Sequence, residues 1–275
     1  MKLFPIGVFD SGVGGLSVLR AIRKEYPSLP MMYFADQAHV PYGPRSLEEV
    51  RSFSQIITRF LLDQGACLIV VACNTASAAA LYNLRQAFPS IPFVGMEPAV
   101  KPAAEGTQTG VVGILATPAT FQSNLYTSVV ERFASGVRVL QDPCPGLVRQ
   151  IEVGDLSSPA TSAILERALQ PMLAAGMDTV VLGCTHYPFV IPLIQEIVGP
   201  RVRVIDPAPA VARQVGRLLA ANSWINPGSA PGILRFITSG APAELEHLLP
   251  HFFGENGQVE PAVWQAAQIT LPCSR

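Results

Sequence analysis

Twice in this chain an apolar run stops at a cysteine, and that repetition restricts the fold more than any other feature. Leu68-Ile69-Val70-Val71-Ala72 runs into Cys73-Asn74-Thr75, and Val180-Val181-Leu182-Gly183 runs into Cys184-Thr185-His186-Tyr187-Pro188. Both read as buried strands followed by helical patterns, and in an open α/β sheet ligands gather outside the carboxyl ends of such strands. The two cysteines stand about 110 residues apart, and two further pairs of segments recur at nearly that offset. Ile6-Gly7-Val8-Phe9-Asp10-Ser11 is echoed by Val111-Val112-Gly113-Ile114-Leu115-Ala116-Thr117, and Glu97-Pro98-Ala99 by Asp206-Pro207-Ala208. Three echoes at near-constant spacing predict an internal duplication, and a pseudo-two-fold axis would bring both cysteines to one cleft.

The expected architecture is α/β, with two pseudo-symmetric lobes, each a mostly parallel sheet flanked by helices, and the active site in the interlobe cleft. Strands are predicted at 6–9, 31–35, 68–72 and 91–95 in the first half, and at 110–116, 137–141, 179–182 and 202–205 in the second. Helical patterns fill 16–24, 47–64, 75–87, the stretch ending near 133, 159–174, 187–197 and 208–221. A strand at 233–238 and a helix at 243–249 form a tail outside the duplication, with loop signals at Asn226-Pro227-Gly228 and Pro231-Gly232. If the chain crosses at Glu97 to Ala99 and returns at Asp206 to Ala208, the first lobe is 1–97 plus 208–275 and the second is 98–207. Asp10-Ser11-Gly12-Val13-Gly14-Gly15 reads as a tight turn into a helix whose N-terminus can hold an anion.

Composition narrows the function classes. Apolar residues make up 49% of the 275 and charged residues 14%, the profile of a well-buried globular chain. Nineteen basic residues against twenty acidic, with no basic block, argue against nucleic-acid binding. No stretch reads as a membrane span, and the N-terminal segment lacks a signal cleavage site. The first strand begins at Ile6, so regulation through a long preceding segment is not expected. Five cysteines, an odd number without a secretion signal, point to reduced thiols and a cytoplasmic location.

Two thiols on opposite sides of one substrate can invert a stereocentre. One thiolate removes the proton next to a carboxylate, and the other thiol returns a proton to the opposite face. Asp10 ends a strand in the lobe of Cys73 and can reach it; His186 is two residues from Cys184, and Glu152 lies in the same lobe. Pyridoxal phosphate needs a Schiff-base lysine, and Lys2, Lys24 and Lys101 all lie outside the strand-end motifs, so no such cofactor is expected. The motifs also lack arginine, which leaves backbone N–H groups, hydroxyls and Asn74 to hold carboxylates.

Phe9-Asp10-Ser11-Gly12-Val13-Gly14-Gly15-Leu16, Val40-Pro41-Tyr42-Gly43, Ala72-Cys73-Asn74-Thr75-Ala76 and Gly183-Cys184-Thr185-His186-Tyr187-Pro188 together resemble the four signatures of the glutamate racemases, in that family's order and spacing. The resemblance covers nearly the whole chain. It implies a cofactor-independent, metal-free enzyme that supplies D-glutamate for peptidoglycan. It further implies that Cys73 and Cys184 are the acid/base pair, that Asp10, His186 and Glu152 assist, and that Asp10, Ser11, Tyr42, Gly43, Asn74, Thr75, Thr185 and His186 contact substrate. The expected partner is therefore glutamate itself, with room for a homodimer.

Plainer readings stand beside these. Cys67, Cys144 and Cys273 read as small apolar fillers, and His39, His247 and His251 as structural. Asp36 reads as another acid standing behind the site residues or as a strand-end cap, and Thr117 and Thr120 as substrate contacts or helix caps. Gly12-Val13-Gly14 followed by Asp36 imitates a dinucleotide fingerprint, but Ser17 stands where its third glycine belongs. A Cys184–His186 hydrolase pair leaves Cys73 idle, and a zinc site lacks a fourth ligand. Aspartate racemase is the nearest catalytic alternative, and a two-lobed amino-acid-binding module the non-catalytic one.

Overall fold

The computed structural model describes residues 5–224 and 230–272. Strands β1 (Ile6–Asp10), β2 (Met31–Ala35), β3 (Leu68–Val71) and β4 (Phe93–Gly95) are followed by β5 (Val111–Ala116), β6 (Arg138–Asp142), β7 (Thr179–Gly183) and β8 (Arg203–Ile205). The first four pair in parallel in the order β2-β1-β3-β4, and the second four, also parallel, in the order β6-β5-β7-β8. Each sheet thus has the same strand order, with a cysteine just past its third strand.

Helices α1 (Leu16–Glu25), α2 (Leu47–Asp63), α3 (Asn74–Ala87) and α4 (Val100–Gly106) lie in the first part of the chain. They are followed by α5 (Pro118–Phe121), α6 (Asn124–Phe133), α7 (Leu147–Glu152), α8 (Pro159–Ala174), α9 (Ile191–Val198), α10 (Ala208–Ala221) and α11 (Pro242–Phe252). Helices on both faces explain why β1, β2, β3 and β7 are apolar without alternation: every one of their residues is buried. The core follows the same layering. Phe9, Phe34, Ile57 and Leu84 fill the α2–α3 side of the first sheet, and Ile114, Val129 and Ile205 the α6 side of the second. A third apolar layer runs unbroken from Leu19 and Val215 in α1 and α10 to Leu165 and Ile194 in α8 and α9, joining the two sheets.

The chain returns from β8 through α10, which packs on α1, and β9 (Leu234–Thr238) then pairs in parallel with β2. β10 (Val259–Pro261) extends that sheet, and β11 (Val263–Gln265) with β12 (Gln268–Thr270) forms an antiparallel hairpin. Several short elements were not expected from the sequence: α4, α7 and the three last strands. Three-residue strands carry no readable alternation, Pro261 reads as a breaker, and α4 contains Pro102 and ends on Gly106. The predicted Asn226-Pro227-Gly228 loop, Lys2 and Cys273 lie outside the described residues. Cys67, Cys73, Cys144 and Cys184 are free thiols, and no helix among the described residues is long and apolar enough to cross a membrane.

Candidate active site

The carboxyl ends of β1, β3 and β7 converge on one cavity of about 270 Å³, and both Cys73 and Cys184 line it. Cys73 is where β3 hands over to α3. Its extended backbone makes it the helix N-cap, and its Sγ accepts the Ala76 N–H at 3.5 Å. That position places the free N–H groups of a helix start beside the sulfur, which favours negative charge on it. Burial acts the other way and, together with the adjacent Asp10 carboxylate, holds the Cys73 thiol well above its ordinary value. Asp10 is fully buried at the end of β1 and accepts the Gly15 N–H on Oδ2 at 2.6 Å. Burial raises its carboxyl, against the opposing influence of His186 and of the Cys73 thiol it faces. A carboxyl so raised is a better match for a thiol proton than an exposed one.

Cys184 has a different set of neighbours. Its Sγ lies 3.7 Å from Nδ1 of His186, whose Nε2 is 2.5 Å from Oε1 of Glu152. Burial alone would lower the imidazole; hydrogen bonds to Cys184 and Glu152, and the charges of both, outweigh it and raise His186 well above its ordinary value. The Glu152 carboxylate in turn accepts the Val13 N–H at 2.9 Å, across from the other sheet. The anion expected at the start of α1 is therefore the protein's own: Val13 and Gly15 donate to Glu152 and Asp10. Close approach explains the glycines of this turn. A Cβ at Gly12 would collide with Glu152 Oε1, and one at Gly14 would collide with His186 Nδ1.

Polar contacts between the two sheets cluster around the thiols. Thr75 and Thr117 hydroxyls meet at 2.8 Å, and Ser17 Oγ donates to the Thr185 carbonyl at 2.9 Å. Thr117 also caps α5 by accepting the Thr120 N–H, so of the two echoed threonines Thr117 lines the cavity and Thr120 lies behind it. Ser11, Tyr42, Gly43, Thr185 and His186 complete the lining expected from the sequence. Asn74 also faces the cavity; both its amide atoms are buried and have no hydrogen-bond partner among the described residues. Such an amide costs stability unless a ligand pairs with it. Asp10 and Glu152 stand behind the lining, each in contact with a residue that reaches it.

Two lining residues were not anticipated. Cys144, read as a filler, opens on the same cavity from a left-handed backbone position (φ 43), and its N–H is held by Asp142 Oδ1 at 2.7 Å. Arg149 corrects the expectation of a site without arginine: the loop Cys144-Pro145-Gly146 and α7 carry it to the cavity. Its guanidinium lies outside every motif, so only the path of that loop could reveal it.

Asp36 stands behind the cavity lining and is more than a strand-end cap. It is buried and accepts hydrogen bonds from Tyr42 at 2.6 Å, Ser239 at 2.7 Å and Trp264 Nε1 at 2.9 Å, with His39 at 3.0 Å. His39, structural as expected, stacks on Phe53 with ring centroids 4.1 Å apart. The terminal hairpin thereby fixes the loop that carries Tyr42. Trp264→Phe is expected to lower unfolding free energy by about 2 kcal/mol, the scale of a hydrogen bond to a charged group, and to raise KM through a looser Tyr42. Urea denaturation and steady-state kinetics check both.

The profile of a family described as Asp/Glu/Hydantoin racemase matches residues 6–215. A glutamate racemase of Pseudomonas aeruginosa is 53% identical over 249 residues, covering 90% of this chain and 94% of that one. Among solved structures, a glutamate racemase isoform from Bacillus anthracis superposes with a TM-score of 0.87 at 33% identity, covering 98% of this chain and all of the other. The Francisella tularensis glutamate racemase, solved in complex with D-glutamate, superposes with a TM-score of 0.82 at 30% identity, covering 95% and 98%. Agreement at this level over nearly the full length of both partners leaves one assignment: the chain belongs to the Asp/Glu/hydantoin racemase family, among the glutamate racemases.

Proposed function

We propose that this protein interconverts L- and D-glutamate in the cytoplasm, without a cofactor, and supplies D-glutamate for peptidoglycan. The observation that carries the mechanism is that two thiols open on one cavity, each backed by its own proton partner. A thiolate at one cysteine takes the α-proton; the electron pair left on carbon delocalises into the α-carboxylate, and the other thiol gives its proton to the opposite face. The first cysteine ends as thiol and the second as thiolate. Asp10 receives and returns the Cys73 proton, and His186, oriented by Glu152, does so for Cys184. Asn74, Thr75, Thr185, Ser11, Tyr42 and Gly43 hold the carboxylates and the ammonium. In this reading the lobes are 1–97 with 208–275 and 98–207, and they close on the substrate from opposite directions.

The deciding experiment incubates the purified protein with D-glutamate in heavy water and follows α-proton loss by NMR and optical activity by circular dichroism. Incorporation of deuterium with formation of L-glutamate supports the proposal. Turnover of D-aspartate in place of glutamate transfers the assignment to an aspartate racemase.

The raised His186 also sets a pH signature. An imidazole whose folded pKa exceeds the ordinary value of about 6.5 contributes its full stabilisation below that value and loses it as pH rises through the folded one. Wild type should therefore exceed His186→Gln in unfolding free energy at about pH 6, and the gap should shrink toward alkaline pH. Urea titrations across that range check this; a gap that widens with pH contradicts it.

A further inference from the structure

Arg149 is the only lysine, arginine, aspartate or glutamate among the described residues lining the thiol cavity. It projects from α7, is exposed, and makes no hydrogen bond or ion pair through its side chain among the described residues. The carboxylates nearest in the chain are otherwise engaged. Asp142 accepts the Cys144 N–H, and Glu152, one turn further along α7, is held by Val13 and His186. The rest of the lining is largely uncharged, with Pro143, Pro145, Val148 and Tyr187 among it. A free cation on a low-dielectric rim focuses the field of the cleft, and field focusing of this kind raises encounter rates for oppositely charged ligands.

We propose that Arg149 is the electrostatic gate of the cavity: it draws in the amino acid, whose two carboxylates and one ammonium leave a net charge of −1, and meets its distal carboxylate at the rim before the α-carbon seats between the thiols. This rests on the racemase reading above. The residue has no part in proton transfer, so its effect falls on capture of substrate and leaves the chemical step alone. A ligand of net charge −1 approaching one unit charge at about 8 Å in water gains enough Coulomb energy for a roughly twofold change in capture, and reversing the charge at that position doubles the energy difference to a roughly fivefold change.

Steady-state kinetics of wild type, Arg149→Ala, Arg149→Lys and Arg149→Glu, measured in both directions at low and high salt, test the assignment. Arg149→Ala should lose about twofold or more in kcat/KM at low salt and Arg149→Glu about fivefold or more, in both cases through KM, with kcat close to wild type. Lysine should restore most of the loss and glutamate should deepen it. The dependence of log kcat/KM on ionic strength should flatten in the alanine variant and reverse in the glutamate variant, and the differences should close at high salt. Identical KM and salt dependence in all four proteins overturns the gate, as does a fall in kcat that lysine fails to rescue. A wild-type protein that turns over neither enantiomer refutes the racemase reading instead, so the two failures are distinguishable.

Discussion

Cys73→Ser and Cys184→Ser are each expected to lose about 10³-fold or more of racemase turnover, because in the proposed two-thiol mechanism each removes the group that acts on its face of the substrate. The loss is asymmetric in a way that a structural defect cannot imitate. With one cysteine intact, α-proton exchange in heavy water persists from a single enantiomer without inversion, and the two variants exchange opposite enantiomers. The neighbours reinforce the asymmetry: Cys73 leans on the α3 N-terminus and Asp10, and Cys184 on His186 and Glu152. Thr75 and Thr117 remain to hold the sheets together, and serine is close in volume to cysteine, so each variant folds. NMR exchange rates from L- and D-glutamate, taken separately, are the measurement. Exchange of the same enantiomer by both variants, or wild-type turnover in either, removes the two-thiol assignment.

Gly14→Ala has the second largest effect, with one methyl group as its cause. The new Cβ would collide with His186 Nδ1 and lie 2.6 Å from its Cε1 and 2.8 Å from Asp10 Oδ2, so both proton partners must move. Gly14 is not in the left-handed region, so alanine meets no backbone penalty, and the damage is confined to packing. Overpacking of this kind costs about 1–3 kcal/mol of stability. Its cost to activity is larger, about 10²-fold or more in kcat, because the imidazole that backs Cys184 leaves hydrogen-bond reach. Paired measurements of kcat and of the denaturation midpoint separate the two. Normal kcat in the Gly14→Ala protein would mean that His186 does not need its observed place.

Much of this molecule was legible before any coordinates. The repeated strand-to-cysteine segments and the alternation of buried strands with amphipathic helices follow from hydrophobic periodicity, which is a local property, whereas the return of the tail to the first sheet follows from the duplication and its two crossover segments. Parallel strands buried on both faces have to be uninterrupted apolar runs, so where those runs stop, at Asp10, Cys73 and Cys184, the ends of the sheet can be read directly. The short elements escaped notice for the same reason inverted: three residues of β10 or seven of α4 hold too little pattern to rise above Pro102 or Pro261.

What tertiary structure alone decided is which groups meet. No spacing in the chain says that Val13 donates to Glu152 from the other sheet, that Asp36 is tied to Trp264 and not to a thiol, or that Arg149 reaches the cavity. The first joins residues of two sheets that share one apolar layer, and the second joins the end of β2 to the terminal hairpin. Periodicity specifies which face of each element is buried; only packing of whole elements specifies what that face is buried against.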